Sequence, residues 1–217
     1  MIQEALIISL KVSIISSVIS LIISVLLLYK INNKKINIIE NLILIPIFIP
    51  PSALGYILLK IFSKQSIVGK LLNEYLNIQI IFTIIGAIIV SVIITMPIMY
   101  ESIKQAINSI DEEIIYSAMD CGANRYKVFT KIILPLSKKG IYSGMLLSFA
   151  RSFGEFGATM LVAGNIPSKT QTLSMAMYYS IESGQGQISK TILTIILIIA
   201  LFMISIYKYL EKQSGRK

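Results

Sequence analysis

The sequence predicts an all-α fold, a polytopic bundle of five membrane-spanning helices, and three observations carry that expectation. Of 217 residues, 55% are hydrophobic and 14% charged, at a mean hydropathy of +0.77. Soluble domains carry about 25% charged residues, so this chain cannot cover a water-facing surface. Apolar runs of about 20 residues, the length that crosses a bilayer, recur five times. Basic residues also crowd into alternate connecting segments, the asymmetry that sets orientation in a membrane.

The first run covers roughly 5–29. It is longer than the 7–15 apolar residues of a secretory signal, has no basic segment before it, and is followed by no small-residue cleavage site. It is expected to remain as a span. The second run, 42–62, contains Pro46, Pro50 and Pro51, and the third, 80–100, contains Pro97. A proline inside a span frees backbone groups that neighbouring helices or water must satisfy. These prolines are expected to interrupt spans two and three, either to line or flex a path or to bend the helices for packing.

The fourth run, 140–163, is the chemically unusual one. Arg151 and Glu155 lie deep within it, and ionisable groups at that depth usually face a bundle interior or a water-lined path. Their i, i+4 spacing allows pairing on one helix face. Ser148, Ser152, Glu155 and Thr159 follow at spacings that would make one polar stripe. Gly154 and Gly157 would let another helix approach closely. A satisfied ion pair that only packs helices together is the competing reading. The fifth run is 188–208, and residues 170–187 before it, with Tyr178, Tyr179 and Glu182, suggest a short amphipathic helix at the outer surface.

Orientation follows from the basic residues. After spans one, three and five stand Lys30, Lys34 and Lys35, then Lys104, Arg125, Lys127, Lys131, Lys138 and Lys139, then Lys208, Lys212, Arg216 and Lys217. The other side holds Lys60, Lys64, Lys70, Lys169 and Lys190. The richer side is expected to be cytoplasmic, which puts the N-terminus outside and the C-terminus inside. The net charge of +9 therefore reflects membrane topology rather than nucleic-acid binding. No repeat, linker or low-complexity tail divides the chain, so residues 1–217 are expected to form one domain.

The segment 101–139 is the longest polar stretch. Ser109 followed by Glu112 reads as a capping box, with Asp111 and Glu113 favourable at a helix N-terminus. Ile107, Ile110, Ile114, Ala118 and Cys121 would share one face, and Gly122 suits a left-handed stop. A second short helix carries Tyr126, Phe129, Ile132 and Ile133 and is expected to end near Pro135. Such a pair either lies on lipid headgroups or inserts its apolar face into a groove on a cytoplasmic partner.

Tyr116-Ser117-Ala118, then Gly122, nine residues, and Ile132-Ile133-Leu134-Pro135 resemble the EAA loop of ABC importer permeases. The spacing from Gly122 to the Ile-x-Leu-Pro pattern matches in full. Tyr116 stands where that family has Glu, and Ser117 where it has the first Ala, so only Glu112, Glu113 or Asp120 could supply an acid, from another position. The resemblance implies that this loop is the coupling helix seated on an ATP-binding subunit, with Ala118, Gly122, Leu134 and Pro135 as the docking residues.

The run from Arg151 through Gly-Glu-Phe-Gly-Ala-Thr to Gly164-Asn165-Ile166-Pro167 and Thr170-Gln171-Thr172-Leu173 resembles molybdate ABC transporter permeases. Sulfate permeases share the Gly-Glu-Phe-Gly core and the Asn-Ile-Pro turn. Pro50-Pro51 with Gly55-Tyr56 resembles the same group. The resemblance spans about residues 5–185. It implies an importer with two permease copies, two cytoplasmic ATP-binding subunits and an external substrate-binding protein. It places Ser148, Arg151, Ser152, Glu155 and Thr159 along the translocation pathway or gate. Sulfate or tungstate import on the same architecture remains open. An ion-coupled carrier using Arg151 and Glu155 as a relay, or a channel subunit, belongs to a different class.

The chain is not expected to be an enzyme or to hold a cofactor or metal. It has no histidine and one cysteine, Cys121, so a metal site or a nucleophile–base set lacks its usual parts. Gly164 to Thr170 superficially matches a phosphate-binding loop, but Lys169 stands where the second Gly is required. No regulatory domain is expected after Lys217, nor substrate inhibition through one.

Overall fold

In a computed structural model, residues 1–30 and 37–214 are described, and all their regular structure is helical. Lys34, Lys35, Arg216 and Lys217, counted above for orientation, lie outside the described residues.

Helix α1, Ile2–Lys30, runs unbroken, with Glu4 in its first turn and Lys30 in its last to complement the helix dipole. Its burial inverts that of a soluble helix. Ser9, Ser13, Ser16, Ser17, Ser20 and Ser24 are buried, while Ile7, Ile14, Val18, Ile22 and Leu26 are exposed. Small hydroxyl residues let helices approach closely in lipid, and large apolar ones suit the lipid face.

Helix α5, Ile84–Asn108, is the centre of the bundle, with Val90, Ile94, Met99, Tyr100 and Ile103 buried. It runs parallel to α1: Ile8 and Val12 pack with Ala87, and Ser20 reaches Thr95 at 2.9 Å. Helix α9, Lys138–Phe153, runs the other way, because Gly140 lies against Ala106, Gly144 against Met99, and Ser148 against Thr95. Helix α12, Gly186–Ser214, is almost entirely exposed along its apolar stretch, and Ile192 is its fully buried residue near the start.

Helices α1, α5 and α12 are each long and apolar enough to cross a membrane, as spans one, three and five require. The other two expected spans are not single helices. Span two consists of α2, Asn37–Phe48, and α3, Pro51–Phe62, which meet at a bend of 117°. Pro50 cannot be followed by a regular helical turn when Pro51 comes next, so the chain is extended at Pro50 and restarts with Pro51 in the first turn. An ion pair from Lys104 to Glu40 ties the start of α2 to the loop end of α5, from which residues 109–137 project. Phe62 at the far end of α3 shares a cleft of about 260 Å³ with residues 80–82, before the opposite end of α5. Together α2 and α3 thus reach both ends of α5.

Span four is broken at 154–156 into α9 and a short α10, Gly157–Ala163. By contrast, span three is not interrupted: Pro97 sits buried inside a continuous α5. Side-chain hydroxyls cluster around that turn. Thr95 donates to Ser91 O at 2.8 Å, and Ser148 donates to Thr95 O at 3.4 Å. Among the described residues no side chain donates to Ile93 O, the carbonyl that Pro97 leaves without its i−4 partner, and the helix continues regardless.

At the end opposite the loop, α4, Ile67–Leu76, is capped by Ser66 and stops at Asn77 in the left-handed region. Helix α11, Leu173–Glu182, is the expected short helix between spans four and five. It does not lie free on a surface. Leu173 and Ala176 enter a core with Ala5, Phe153 and Ile192.

Candidate functional site

Two places concentrate chemistry. The first is the break in span four. Helix α9 ends at Phe153, and Gly154 N and Glu155 N close its last turn onto Ala150 O and Ser152 O, each at 3.1 Å. Glu155 then lies outside any helix and is 3% exposed. Its carboxylate does two things. Oε2 accepts from Arg151 Nη1 at 2.7 Å, and Oε1 accepts from Ala158 N at 3.0 Å, in the first turn of α10. One acid thus neutralises a cation and satisfies a backbone donor that the break exposes, both of which are costly if left alone in lipid.

Arg151 is the half-open partner, with its side chain 35% exposed. Among the described residues Glu155 is its hydrogen-bond partner, so its other guanidinium nitrogens remain available on the open side. Two further elements close on the break. Ser16 of α1 shares a 3.0 Å hydrogen bond with Ser152, and Ser174 of α11 donates to Phe153 O at 3.4 Å. Phe156 packs on Tyr178 with ring centroids 5.0 Å apart.

The expected polar stripe Ser148, Ser152, Glu155, Thr159 is therefore not on one continuous helix. Ser148 and Ser152 face α5 and α1, Glu155 occupies the break, and Thr159 is buried on α10 with no hydrogen-bond partner for its hydroxyl. Close helix approach also falls elsewhere than expected. A Cβ on Gly157 would stand at an ordinary 3.7 Å from Ser52 N, whereas one on Gly55 would meet Ala158 Cα at 2.7 Å. Gly55 is the residue that lets α3 lie on α10.

The Asn-Ile-Pro turn after α10 is held by its own side chains. Thr170 Oγ1 donates to Gly164 O at 2.9 Å and accepts from Ile166 N at 3.1 Å, and Gln171 Nε2 donates to Asn165 Oδ1 at 2.9 Å. Leu173 N then donates to Ser9 Oγ of α1 at 2.7 Å. The motif builds a rigid connection to α11.

The second place is the projecting loop. Helix α6, Glu112–Asp120, starts at Asp111, whose carboxylate accepts from Glu113 N at 3.1 Å. This corrects the capping box: Ser109 instead closes the end of α5, donating to Ala106 O. Ile107 and Ile110 precede α6, so the expected five-residue face is split at this turn. Helix α6 buries none of its residues, and Ile114, Tyr116 and Met119 are all exposed. Gly122, at φ +84°, ends it as expected, with Ala123 N donating to Ala118 O at 3.1 Å.

The return limb ends at Leu136, next to Pro135 as expected, but it is not one regular helix. Helix α7, Arg125–Val128, passes into a π-helical turn, Phe129–Ile133, and then into α8, Leu134–Leu136. Pro135 has no N–H for Lys131 O and its ring would clash there, so the preceding turn widens and Leu134 N bonds Phe129 O instead. Ala118 and Gly122 thus mark the tip of the loop, and Leu134 and Pro135 its stem.

Sequence reasoning missed how the loop is anchored. Tyr29, in the last turn of α1, packs on Phe129 at 5.1 Å and edge-on to Tyr126 at 6.2 Å between centroids. Arg125 lies 5.6 Å from the Tyr29 ring centre and donates through Nη2 to Tyr29 O at 2.7 Å. A tyrosine at the end of an Ile/Leu span reads as an ordinary interfacial aromatic, which hides this role.

Comparison with known proteins places the chain in a family. The family described as the binding-protein-dependent transport system inner membrane component matches residues 16–215. The molybdenum transport system permease protein ModB of Escherichia coli K12 is 36% identical over 169 residues, covering 78% of this chain and 73% of that protein. ModB of Haemophilus influenzae is 32% identical over 182 residues, covering 83% and 80%. The sulfate transport system permease protein CysT of Salmonella typhimurium is more distant, at 26% over 180 residues, covering 83% and 65%. The match covers nearly the whole chain: this chain belongs to the family of inner-membrane components of binding-protein-dependent transport systems.

Proposed function

We propose that the chain is the permease subunit of an ATP-binding-cassette importer that carries molybdate across the cytoplasmic membrane. The observation that carries this reading is the 36% identity to a molybdenum permease across three quarters of both chains, against 26% for the sulfate permease. The chain sits with its N-terminus outside and its C-terminus in the cytoplasm. The loop tip at Ala118 and Gly122, with the stem at Leu134 and Pro135, docks a cytoplasmic ATP-binding subunit. An α6 with no buried residue, projecting with its apolar side chains open, supports this. Two copies of the chain, two ATP-binding subunits and an external binding protein make the working assembly. Arg151, held by Glu155, meets the passing oxyanion, with Ser148, Ser152 and Thr159 on the helices that shape the break. No cofactor takes part in this chain.

The test is ATP-dependent uptake by the reconstituted complex. Molybdate uptake should exceed sulfate uptake, and deletion of 111–122 should release the ATP-binding subunit. Gly122→Val should abolish uptake, because valine resists positive φ although nothing lies within 4 Å of the added Cβ. Uptake by the chain alone under an ion gradient, without an ATPase, would favour a secondary carrier. Sulfate uptake without molybdate uptake would overturn the cargo.

A further inference from the structure

Four contacts join one residue of α1 to the return limb of the loop: two aromatic contacts, a guanidinium over a ring, and a hydrogen bond to a carbonyl of the last helical turn. That carbonyl lies at the negative end of a 29-residue helix, where a cation is favoured. Aromatic pairs and a cation over a ring each add to simple burial. The joint is therefore a specific fastening of α1 to α7 and its π-helical turn, with Phe129 buried beneath it.

Helix α1 has no proline or glycine along Ile2–Lys30 and runs unbroken, with Ser16 and Ser17 bonding back to Ser13 O in mid-helix. Along its length it packs on α5, α9 and α11. Thirteen residues before Tyr29, about 20 Å at the helical rise, Ser16 bonds Ser152 directly before the break. Ser20 bonds Thr95 on α5. At the far end Ser9 accepts from Leu173 N, and Glu4 accepts from Ser168. The break in span four, by contrast, interrupts the direct helical connection from the loop through α9 to α10 at 154–156.

We propose that Tyr29 and Arg125 are positioning residues that make α1 a strut, carrying displacement of the loop past the break in span four to the outer turn at 164–172. This rests on the reading of the loop as the ATPase-docking element. Among the described residues the contacts of Tyr29 use its ring and backbone carbonyl, and its hydroxyl bonds to none of them. Phenylalanine therefore preserves the joint, while leucine keeps bulk and loses the ring.

The experiment uses the full complex with its ATP-binding subunits and binding protein in liposomes, reading molybdate uptake and ATP hydrolysis together. Tyr29→Leu and Arg125→Gln should keep the ATP-binding subunits bound and hydrolysing within about twofold, while molybdate moved per ATP falls at least about fivefold. Tyr29→Phe should match the wild type. Arg125→Gln removes a solvent-exposed side chain from a loop, so it tests the idea even where Tyr29→Leu fails to assemble. Unchanged molybdate per ATP in Arg125→Gln, or an equal loss in Tyr29→Phe, overturns the strut alone. A wild-type chain that retains no ATP-binding subunit overturns the docking reading and the strut with it.

Discussion

At the scale of single residues, Glu155 is bonded on both sides of the break, to Arg151 of α9 and to Ala158 N of α10. Glutamine at that position keeps an acceptor for Ala158 N but loses the charge opposite Arg151. Alanine loses both. A charge-assisted hydrogen bond contributes on the order of 1.5–3 kcal/mol, and the partial exposure of Arg151 reduces that through solvent screening. Glu155→Gln should therefore cost about 1 kcal/mol and Glu155→Ala about 2–3 kcal/mol, with unpaired buried donors adding to the second. Thermal unfolding in detergent measures the order. Equal melting temperatures for the two variants would show that the bond to Ala158 N contributes nothing. Arg151 and Glu155 could be singled out from sequence because charge is rare at membrane depth. That the acid sits outside the helix was hidden, since the i, i+4 spacing fits an unbroken helix equally well.

At the scale of elements, the helices that departed from expectation did so at proline and glycine. Pro50-Pro51 bends span two, Pro135 widens a turn, and Pro97 leaves α5 intact. The residue type was legible each time; whether it bent, widened or left the helix unchanged was not. The contact between α3 and α10 is of the same kind. A Cβ on Gly55 would stand 2.7 Å from Ala158 Cα and 3.0 Å from its carbonyl oxygen, so backbone rather than a pliant side chain would have to move. Gly55→Ala should destabilise the protein by about 1–3 kcal/mol, as overpacking does, and Gly55→Val by more. Melting curves for the two, set against the wild type, decide it; an unchanged Gly55→Ala would mean that α3 and α10 are free to separate.

At the scale of the whole molecule, the proposed orientation can be checked with thiol labelling. Cys121 is exposed and must first be replaced by serine. A cysteine at position 66 should then react with a membrane-impermeant reagent from outside, and one at 214 only after permeabilisation. Labelling at 214 in intact cells would invert the topology. The amino-acid sequence alone determined the membrane class, the five apolar segments, the projecting loop with its glycine stop, and the charged pair. Each of these rests on composition and periodicity, which act locally along the chain. Tertiary structure decided where spans two and four break, how Glu155 is shared between Arg151 and α10, and that Tyr29 fastens the loop to α1. Those depend on which backbone groups meet a partner from a distant segment, and in a medium without water that partner decides whether a helix continues or stops.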